Sequence, residues 1–197
     1  MVTLELIQKL REKTGLGMMD CKKALVETNG DVEKAIEILR KKGSLVAEKR
    51  SMNKTSHGIV HSYIHPGAQI GVLLELNCET DFVARTDSMK DLAHGICMHI
   101  ACMNPRFLSP ELVDENFLQK ELEIAREQLM QEKKPANIIE NILEGKKKRI
   151  YTEQCLLQQN YIKNEKMSVE DLVKETIAKV GENIKIKSFC RYEIGSC

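Results

Sequence analysis

The distribution of apolar and polar residues near the N-terminus predicts three short helices. Apolar side chains recur there every three to four residues, and glycines interrupt the pattern. Thr3 is a good N-cap for the first helix, which is expected to end near Gly15. A second helix begins near Met18, and Asp31 caps a third that stops at Gly43. Together these signals predict a compact three-helix unit.

The periodicity changes to two beyond residues 44–56, a polar stretch that is interpreted as a linker. Residues 59–64 predict a strand, residues 65–69 a turn, and residues 70–77 a second strand with one well-buried face. Residues 184–194 alternate again near the C-terminus. This last strand is expected to return to the early hairpin and to complete an antiparallel sheet.

The remaining pattern is helical. Residues 89–103 carry one apolar stripe, residues 109–162 read mainly as helices, and Ser168 opens a further helix through a capping box. The predicted fold class is α+β. A small three-helix domain with its linker is expected over residues 1–54. A core of antiparallel sheet packed with helices is expected over residues 55–197.

Composition excludes several classes of protein. The chain is 42% hydrophobic and 30% charged with a net charge of +1, so it can build a core and has no general attraction to nucleic acid or to membranes. No apolar run approaches the roughly 20 residues that span a bilayer. The first residues resemble neither a signal nor a transit peptide. The seven scattered cysteines are read as reduced and structural, which indicates a cytoplasmic protein.

The chemistry of an enzyme is missing from the sequence. There is no phosphate-binding glycine loop, no dinucleotide fingerprint and no nucleophile elbow, so neither catalysis nor a cofactor is expected. His94, Cys97, His99 and Cys102 fan over roughly 200° of a helix and cannot converge on one metal ion. The basic run at residues 146–149 favours a solvated helix face over contact with RNA.

Three segments resemble the signature segments of the elongation factor Ts family. The first is REKTGLGMMDCKKAL at residues 11–25, followed by Asn29-Gly30-Asp31. The second is NCETDFVAR at residues 77–85, and the third is GENIKI at residues 181–186. They occur in the order and at the separation found in that family, so the resemblance covers the chain from end to end.

The resemblance implies a guanine-nucleotide exchange factor for elongation factor Tu that acts in translation elongation during protein biosynthesis. The N-terminal helices would form a ubiquitin-associated-like domain that docks on the GTPase, with Arg11, Met18, Met19 and Lys22 on the docking surface. The segment Thr80, Asp81, Phe82 and Val83 would approach the magnesium and phosphate site of the partner. Phe82 would act as a wedge, and Asp81 would displace groups that organise Mg²⁺.

Sequence pattern alone leaves these roles open. The pattern alone favours a Phe82 that folds onto the core, and it is the resemblance that favours the wedge; Asp81 could equally cap a helix or turn. Met19 and Val26 form a second apolar face on the second helix. That face could pack inside the small helical unit or form a contact surface for a partner.

The chain is expected to be a short form with a single core half, because longer members of the family carry two similar halves. A lone sheet with an uncovered edge is a liability, which predicts a symmetric homodimer with an interface around Phe189 to Tyr192. Cys190 would then lie near its symmetry mate, and whether it forms an interchain disulfide stays open. The alternatives are a ubiquitin-associated-type binding module without exchange activity and a ribosome- or RNA-associated factor.

Overall fold

The computed structural model describes residues 2–195 of the chain. In chain order the helices are α1 (Leu4–Thr14), α2 (Met18–Glu27), α3 (Val32–Arg50), α4 (Asp81–Ala84), α5 (Asp87–Met103), α6 (Glu115–Gln131), α7 (Ala136–Gln154) and α8 (Val169–Val180). The strands are β1 (His57–Ile64), β2 (Ile70–Cys78), β3 (Asn160–Tyr161), β4 (Asn164–Ser168) and β5 (Ile184–Glu193). This mixture of helices and antiparallel sheet confirms the α+β class.

The chain divides into two compact units. The first unit contains the residues up to His61 together with Leu74–His94 and Asp171–Lys187. The second unit contains Ser62–Leu73, Gly95–Glu170 and the residues from Ser188 onward. The boundaries between the units fall inside strands and helices, so a single helix or strand can contribute residues to both units. The domain boundary between residues 54 and 55 remains a prediction.

Local capping chemistry sets the starts of α1 and α3 and the end of α1, as the sequence predicts. The Thr3 hydroxyl accepts a hydrogen bond from the Leu6 N–H at 3.4 Å, and the Asp31 carboxylate accepts one from the Lys34 N–H at 3.1 Å. Gly15 ends α1 in the left-handed conformation, with φ of 68°. The three helices enclose their own apolar core, made of Ile7, Leu10, Cys21, Ala24, Leu25, Ala35 and Leu39.

The third helix does not stop at Gly43, which corrects the expectation from sequence. It continues to Arg50 through a buried Gly43. A Cβ atom at Gly43 would lie 3.1 Å from the Ala178 Cβ on α8, so the glycine lets two helices approach closely. Gly43 resembles a helix terminator but is a packing site. As a result, α3 continues as one helix up to the polar residues that follow it.

The main sheet has the strand order β1-β2-β5. The Ile194 N–H donates to the Gln69 carbonyl at 3.0 Å, so the end of β5 lies beside the start of β2 and the two strands run antiparallel. Along β2, Val72, Leu74 and Leu76 are buried on one face, as the alternation predicts. The late strand thus returns to the early hairpin.

The second unit contains features that sequence reading missed. Strands β3 and β4 form a two-stranded antiparallel sheet, with β3 at the end of the stretch 109–162 that was expected to be mainly helical. The buried His99 faces it: its Nδ1 accepts from the Ile162 N–H at 3.2 Å, and its Nε2 lies 2.9 Å from the Gln159 Oε1. Burial lowers the pKa of His99, so the ring is neutral and donates to Gln159.

Several positions in the predicted apolar stripes are exposed. Met103 lies at the end of α5 with 47% of its surface exposed, and Ile138 and Ile142 on α7 are 43% and 37% exposed. Among the buried positions of α6 and α7, one cluster packs together: Ala125, Leu129, Ile139 and Leu143. Within residues 2–195, no helix is both long enough and apolar enough to cross a membrane.

Candidate functional site

The segment Thr80 to Val83 forms a sharp turn between a buried strand and a helix. Strand β2 ends at Cys78, and Thr80 is the N-cap of the four-residue helix α4, its hydroxyl accepting from the Val83 N–H at 3.4 Å. Thr86 then caps α5 by accepting from the Met89 N–H at 3.3 Å. The two threonine caps fix the path of the chain through the turn.

Phe82 projects from this turn into solvent. Its side chain is 81% exposed, whereas the next two residues, Val83 and Ala84, are buried. The sequence pattern alone favours a Phe82 that folds onto the core, and the structure shows that it does not. Asp81, beside it, accepts a hydrogen bond from Arg85 at 2.9 Å on the surface of α4, and the capping role belongs to Thr80. An exposed aromatic ring next to an exposed carboxylate is a candidate contact site.

Glu182 holds Thr80 from the connection between α8 and β5. One carboxylate oxygen accepts from the Thr80 N–H at 3.0 Å, and the other accepts from the Thr80 hydroxyl at 2.8 Å. The Cys78 thiol donates to the Thr80 carbonyl at 3.0 Å. Burial and, secondarily, the charge of Glu182 raise the pKa of Cys78, so this thiol keeps its proton. Every polar group of Thr80 therefore has a partner.

Glu79 forms a second carboxylate cluster one residue earlier. It accepts from the Asn183 N–H at 2.6 Å, from the Asn53 side-chain amide at 2.9 Å and from the Arg50 guanidinium at 3.2 Å. The Asn183 N–H is the main reason that the pKa of Glu79 lies below its usual range, with Asn53 and Arg50 adding to it. Glu79 therefore joins the end of α3, the polar stretch after it and the start of β5.

Sequence reasoning did not assign a role to Glu79 or Glu182. Both lie within the quoted signature segments, but their partners lie far away in sequence. Thr80 and Glu182 are separated by 102 residues, and Glu79 and Asn183 by 104. No spacing rule signals a pairing over such a distance. The only available signal was that both glutamates belong to segments that resemble one family.

The predicted docking residues lie on the solvent side of α1 and α2. Arg11 and Lys22 are exposed, and so are Met18, at 42%, and Met19, at 62%. Val26, the other member of the second apolar face, is also open to solvent. This face of α2 therefore does not pack inside the helical unit, which excludes one of the two interpretations that the sequence left open.

The other candidate groups are engaged in ordinary structural contacts. His61 Nε2 lies 3.4 Å from His94 Nδ1. In the basic run, Arg149 pairs with Glu153 at 2.7 Å on the same helix, as expected of a solvated face. Over the part of the chain that the structure describes, no group of three or more His, Cys, Asp or Glu side chains is arranged to hold a metal ion.

Comparison with known proteins identifies a family. The model described as "Elongation factor TS" matches residues 5–196. Elongation factor Ts of Fervidobacterium nodosum is 51% identical over 194 residues, which cover 98% of this chain and 98% of that protein. Elongation factor Ts of Thermosipho melanesiensis is 50% identical over 99% of this chain and 100% of its own length. These relatives therefore have about the same short length as this chain.

Proposed function

Because the chain belongs to the elongation factor Ts family, whose members are guanine-nucleotide exchange factors for elongation factor Tu, we propose that it releases GDP through the Thr80–Val83 segment. The observation that carries the proposal is the exposed Phe82 ring on a short helix whose N-cap residue, Thr80, is held by Glu182. A ring in that position can enter a partner without disturbing its own core. Asp81 accompanies it as a negative charge.

The chemistry of the partner explains why a small displacement is enough. GDP is held in such GTPases largely through its phosphates and Mg²⁺. Phe82 acts as a wedge between elements of the GTPase, and Asp81 competes for the groups that organise Mg²⁺. Val83, buried beneath the turn, anchors the segment to this chain. No bond is made or broken on this protein, which is therefore neither an enzyme nor the carrier of a cofactor.

The exposed face of α1 and α2 is the docking surface. Met18 and Met19 supply an adaptable apolar contact, and Arg11 and Lys22 supply positive charge around it. Docking there brings Thr80–Val83, the exchange segment, to the partner. The two surfaces then have different roles. The N-terminal helices set the affinity, and the Thr80–Val83 segment sets the rate of release. The protein acts in the cytoplasm and needs no direct contact with nucleic acid.

Binding that GDP weakens is the test of this function. A factor that lowers the affinity for GDP must itself bind the GDP-loaded GTPase less tightly by the same coupling free energy. Immobilised protein should therefore retain nucleotide-free elongation factor Tu and release it when GDP is added. Retention that GDP does not change would favour a simple binding module. Retention of ribosomal RNA that falls steeply with salt would favour the RNA-associated alternative.

Replacement of Met19 by aspartate is expected to weaken docking alone. Met19 is exposed in the first turn of α2, where a negative charge suits the helix dipole, so the helix should remain folded. The charge opposes burial of the surface, and the concentration of this protein that gives half-maximal GDP release should rise about tenfold. The maximal rate should stay unchanged. Leu45→Asp, at an exposed apolar position on α3, is the matched control. A lowered maximal rate would contradict the division of roles.

A symmetric homodimer formed through the end of β5 completes the proposed assembly. β5 is an edge strand of the sheet, and Cys190 and Tyr192 near its end are exposed, as is Ile194 directly after it. Leu73 on β2 and Ile64 on β1, also in the second unit, are exposed as well. An unpaired edge beside exposed apolar side chains is suited to pairing with a second copy.

Replacement of Tyr192 by lysine is expected to convert the dimer to a monomer. The side chain is 68% exposed, so the change should leave each subunit folded while it places a charge in the proposed interface. Sedimentation velocity should give one monomer mass for the variant and twice that mass for the parent. Lys166→Ala on β4 is the control for an exposed strand position. A monomeric parent protein would contradict the proposal.

A further inference from the structure

We infer that Glu79 and Glu182 are positioning residues that hold the Thr80–Val83 segment in one conformation and connect it to the C-terminal end of α3. The inference rests on the proposed function, because it concerns how the segment that acts on the GTPase is held. Neither glutamate is exposed as Phe82 is, and neither is expected to touch the nucleotide. Their role is exerted through Thr80 and through the chain around it.

The Glu182 carboxylate fixes the orientation of Thr80. It accepts both from the backbone N–H and from the side-chain hydroxyl, at 3.0 and 2.8 Å. The hydroxyl proton is thereby directed to Glu182, which leaves an oxygen lone pair to accept from the Val83 N–H and to begin α4. Hydrogen bonds to a charged acceptor are the strong ones in proteins. The direction in which Phe82 leaves the turn is therefore set two residues earlier.

The Glu79 carboxylate connects this turn to the docking helices. Arg50 is the last residue of α3, Asn53 follows it, and both donate to Glu79. Asn183 donates from its backbone, and its side-chain amide donates in turn to the Asn53 carbonyl at 2.9 Å. Because α3 continues unbroken to Arg50, the helix that packs on α1 and α2 ends at a residue that contacts Glu79, and Glu79 directly precedes the Thr80–Val83 segment.

Rigid placement of the segment increases the effect of a wedge. A flexible loop would lose backbone freedom when it binds the partner. The cost in free energy would be that of fixing the backbone of a few residues in one conformation. A segment already held by two carboxylates avoids that loss. The same network makes α3 and the exchange segment one body, so that docking at the N-terminal helices directs Phe82 rather than merely raising its local concentration.

The decisive experiment measures release of a fluorescent GDP analogue from elongation factor Tu over a range of concentrations of this protein. Glu182→Ala should lower the maximal rate about tenfold, which corresponds to about 1.4 kcal/mol, and should leave the half-saturating concentration within about twofold. The maximal rate of Glu182→Gln should lie between those of the parent protein and Glu182→Ala, because the glutamine amide oxygen can still accept from the Thr80 N–H. Glu140→Ala, which removes an exposed ion pair with Arg126 on α6, is the control.

Hydrogen exchange separates positioning from a general loss of stability. In free Glu182→Ala, the amides of residues 80–84 should exchange faster while those of the buried strand β2 stay protected. A double-mutant cycle of Glu79→Ala and Arg50→Ala should show effects on the maximal rate that are not additive, because the two side chains form one contact. If Glu182→Ala does not fold, Glu182→Gln and the cycle decide the question.

The outcomes distinguish this inference from the proposed function. If the parent protein accelerates release and all variants of Glu79 and Glu182 match its rate, the positioning role is wrong and the proposed function stands. If the half-saturating concentration changes while the maximal rate does not, the two glutamates serve docking and the inference is overturned. If the folded parent protein gives no acceleration at any concentration, the proposed function fails, and this inference fails with it.

Discussion

Replacement of Phe82 by alanine is expected to lower the maximal rate of GDP release about 30-fold. Interface residues that dominate binding cost about 2 kcal/mol or more when they are truncated, and about 1.4 kcal/mol corresponds to a tenfold change in rate. Phe82 is 81% exposed in the free protein, so the free energy of unfolding should change by less than about 0.5 kcal/mol. The loss is therefore one of function rather than of fold.

The effect of Phe82 should appear in the maximal rate and not in docking. Release of labelled GDP from elongation factor Tu, chased with excess unlabelled GDP, measures both quantities when the concentration of this protein is varied. Circular dichroism confirms that the variant is folded. Leu112→Ala is the matched control, because this leucine is also an exposed apolar residue, at 61%. A Phe82→Ala protein that releases GDP as fast as its parent would show that the ring is not the wedge.

Replacement of Leu25 by alanine is expected to unfold the N-terminal helices while the sheet persists. Leu25 is fully buried in the core that α1, α2 and α3 enclose. Such substitutions lower the free energy of unfolding by about 2–5 kcal/mol, which is large for a unit with so small a core. The half-saturating concentration for GDP release should then rise by more than tenfold, because the docking surface loses its support.

Hydrogen exchange resolved along the chain checks this expectation. The amides of α1, α2 and the first half of α3 should lose protection in Leu25→Ala, and those of β2 should keep it. Val26→Ala, which changes the exposed neighbour of Leu25, should leave the protection of α1–α3 unaltered. Equal loss of protection in the helices and in the sheet would contradict the predicted domain boundary between residues 54 and 55, because it would show that both unfold together.

The parts of the fold that were predicted correctly are those that local chemistry determines. Thr3 and Asp31 cap their helices with side-chain oxygens only three residues from the N–H groups they accept from. The alternation of Val72, Leu74 and Leu76 requires no knowledge of what covers them. In each case the signal and the structure lie within one turn or one strand, so the sequence carries the answer directly.

The parts that were missed depend on contacts between distant residues. Gly43 reads as the end of a helix, and only Ala178 on α8 explains why the helix continues. Strands β3 and β4 are short and polar, with Asn164 and Lys166 in β4, and their placement depends on the buried His99 from α5. Intrinsic propensity is a weak guide where tertiary packing decides the conformation.

The candidate site shows the same division. The resemblance of residues 77–85 to one family located the segment, but the pattern alone favours a buried Phe82, whereas the ring is exposed. That depends on the turn that Thr80 and Thr86 impose. Glu182 could not be connected with Thr80 from sequence, because the two residues in contact are 102 positions apart along the chain.

The central claim is that this protein accelerates GDP release from elongation factor Tu by binding it. The most direct measurement loads the GTPase with a fluorescent GDP analogue, adds excess unlabelled GDP, and follows the fluorescence with increasing amounts of this protein. The observed rate should rise with concentration and saturate, and less than one equivalent should still release all of the labelled GDP because the factor is reused. A release rate that stays at its spontaneous value at every concentration of the folded protein would contradict the claim.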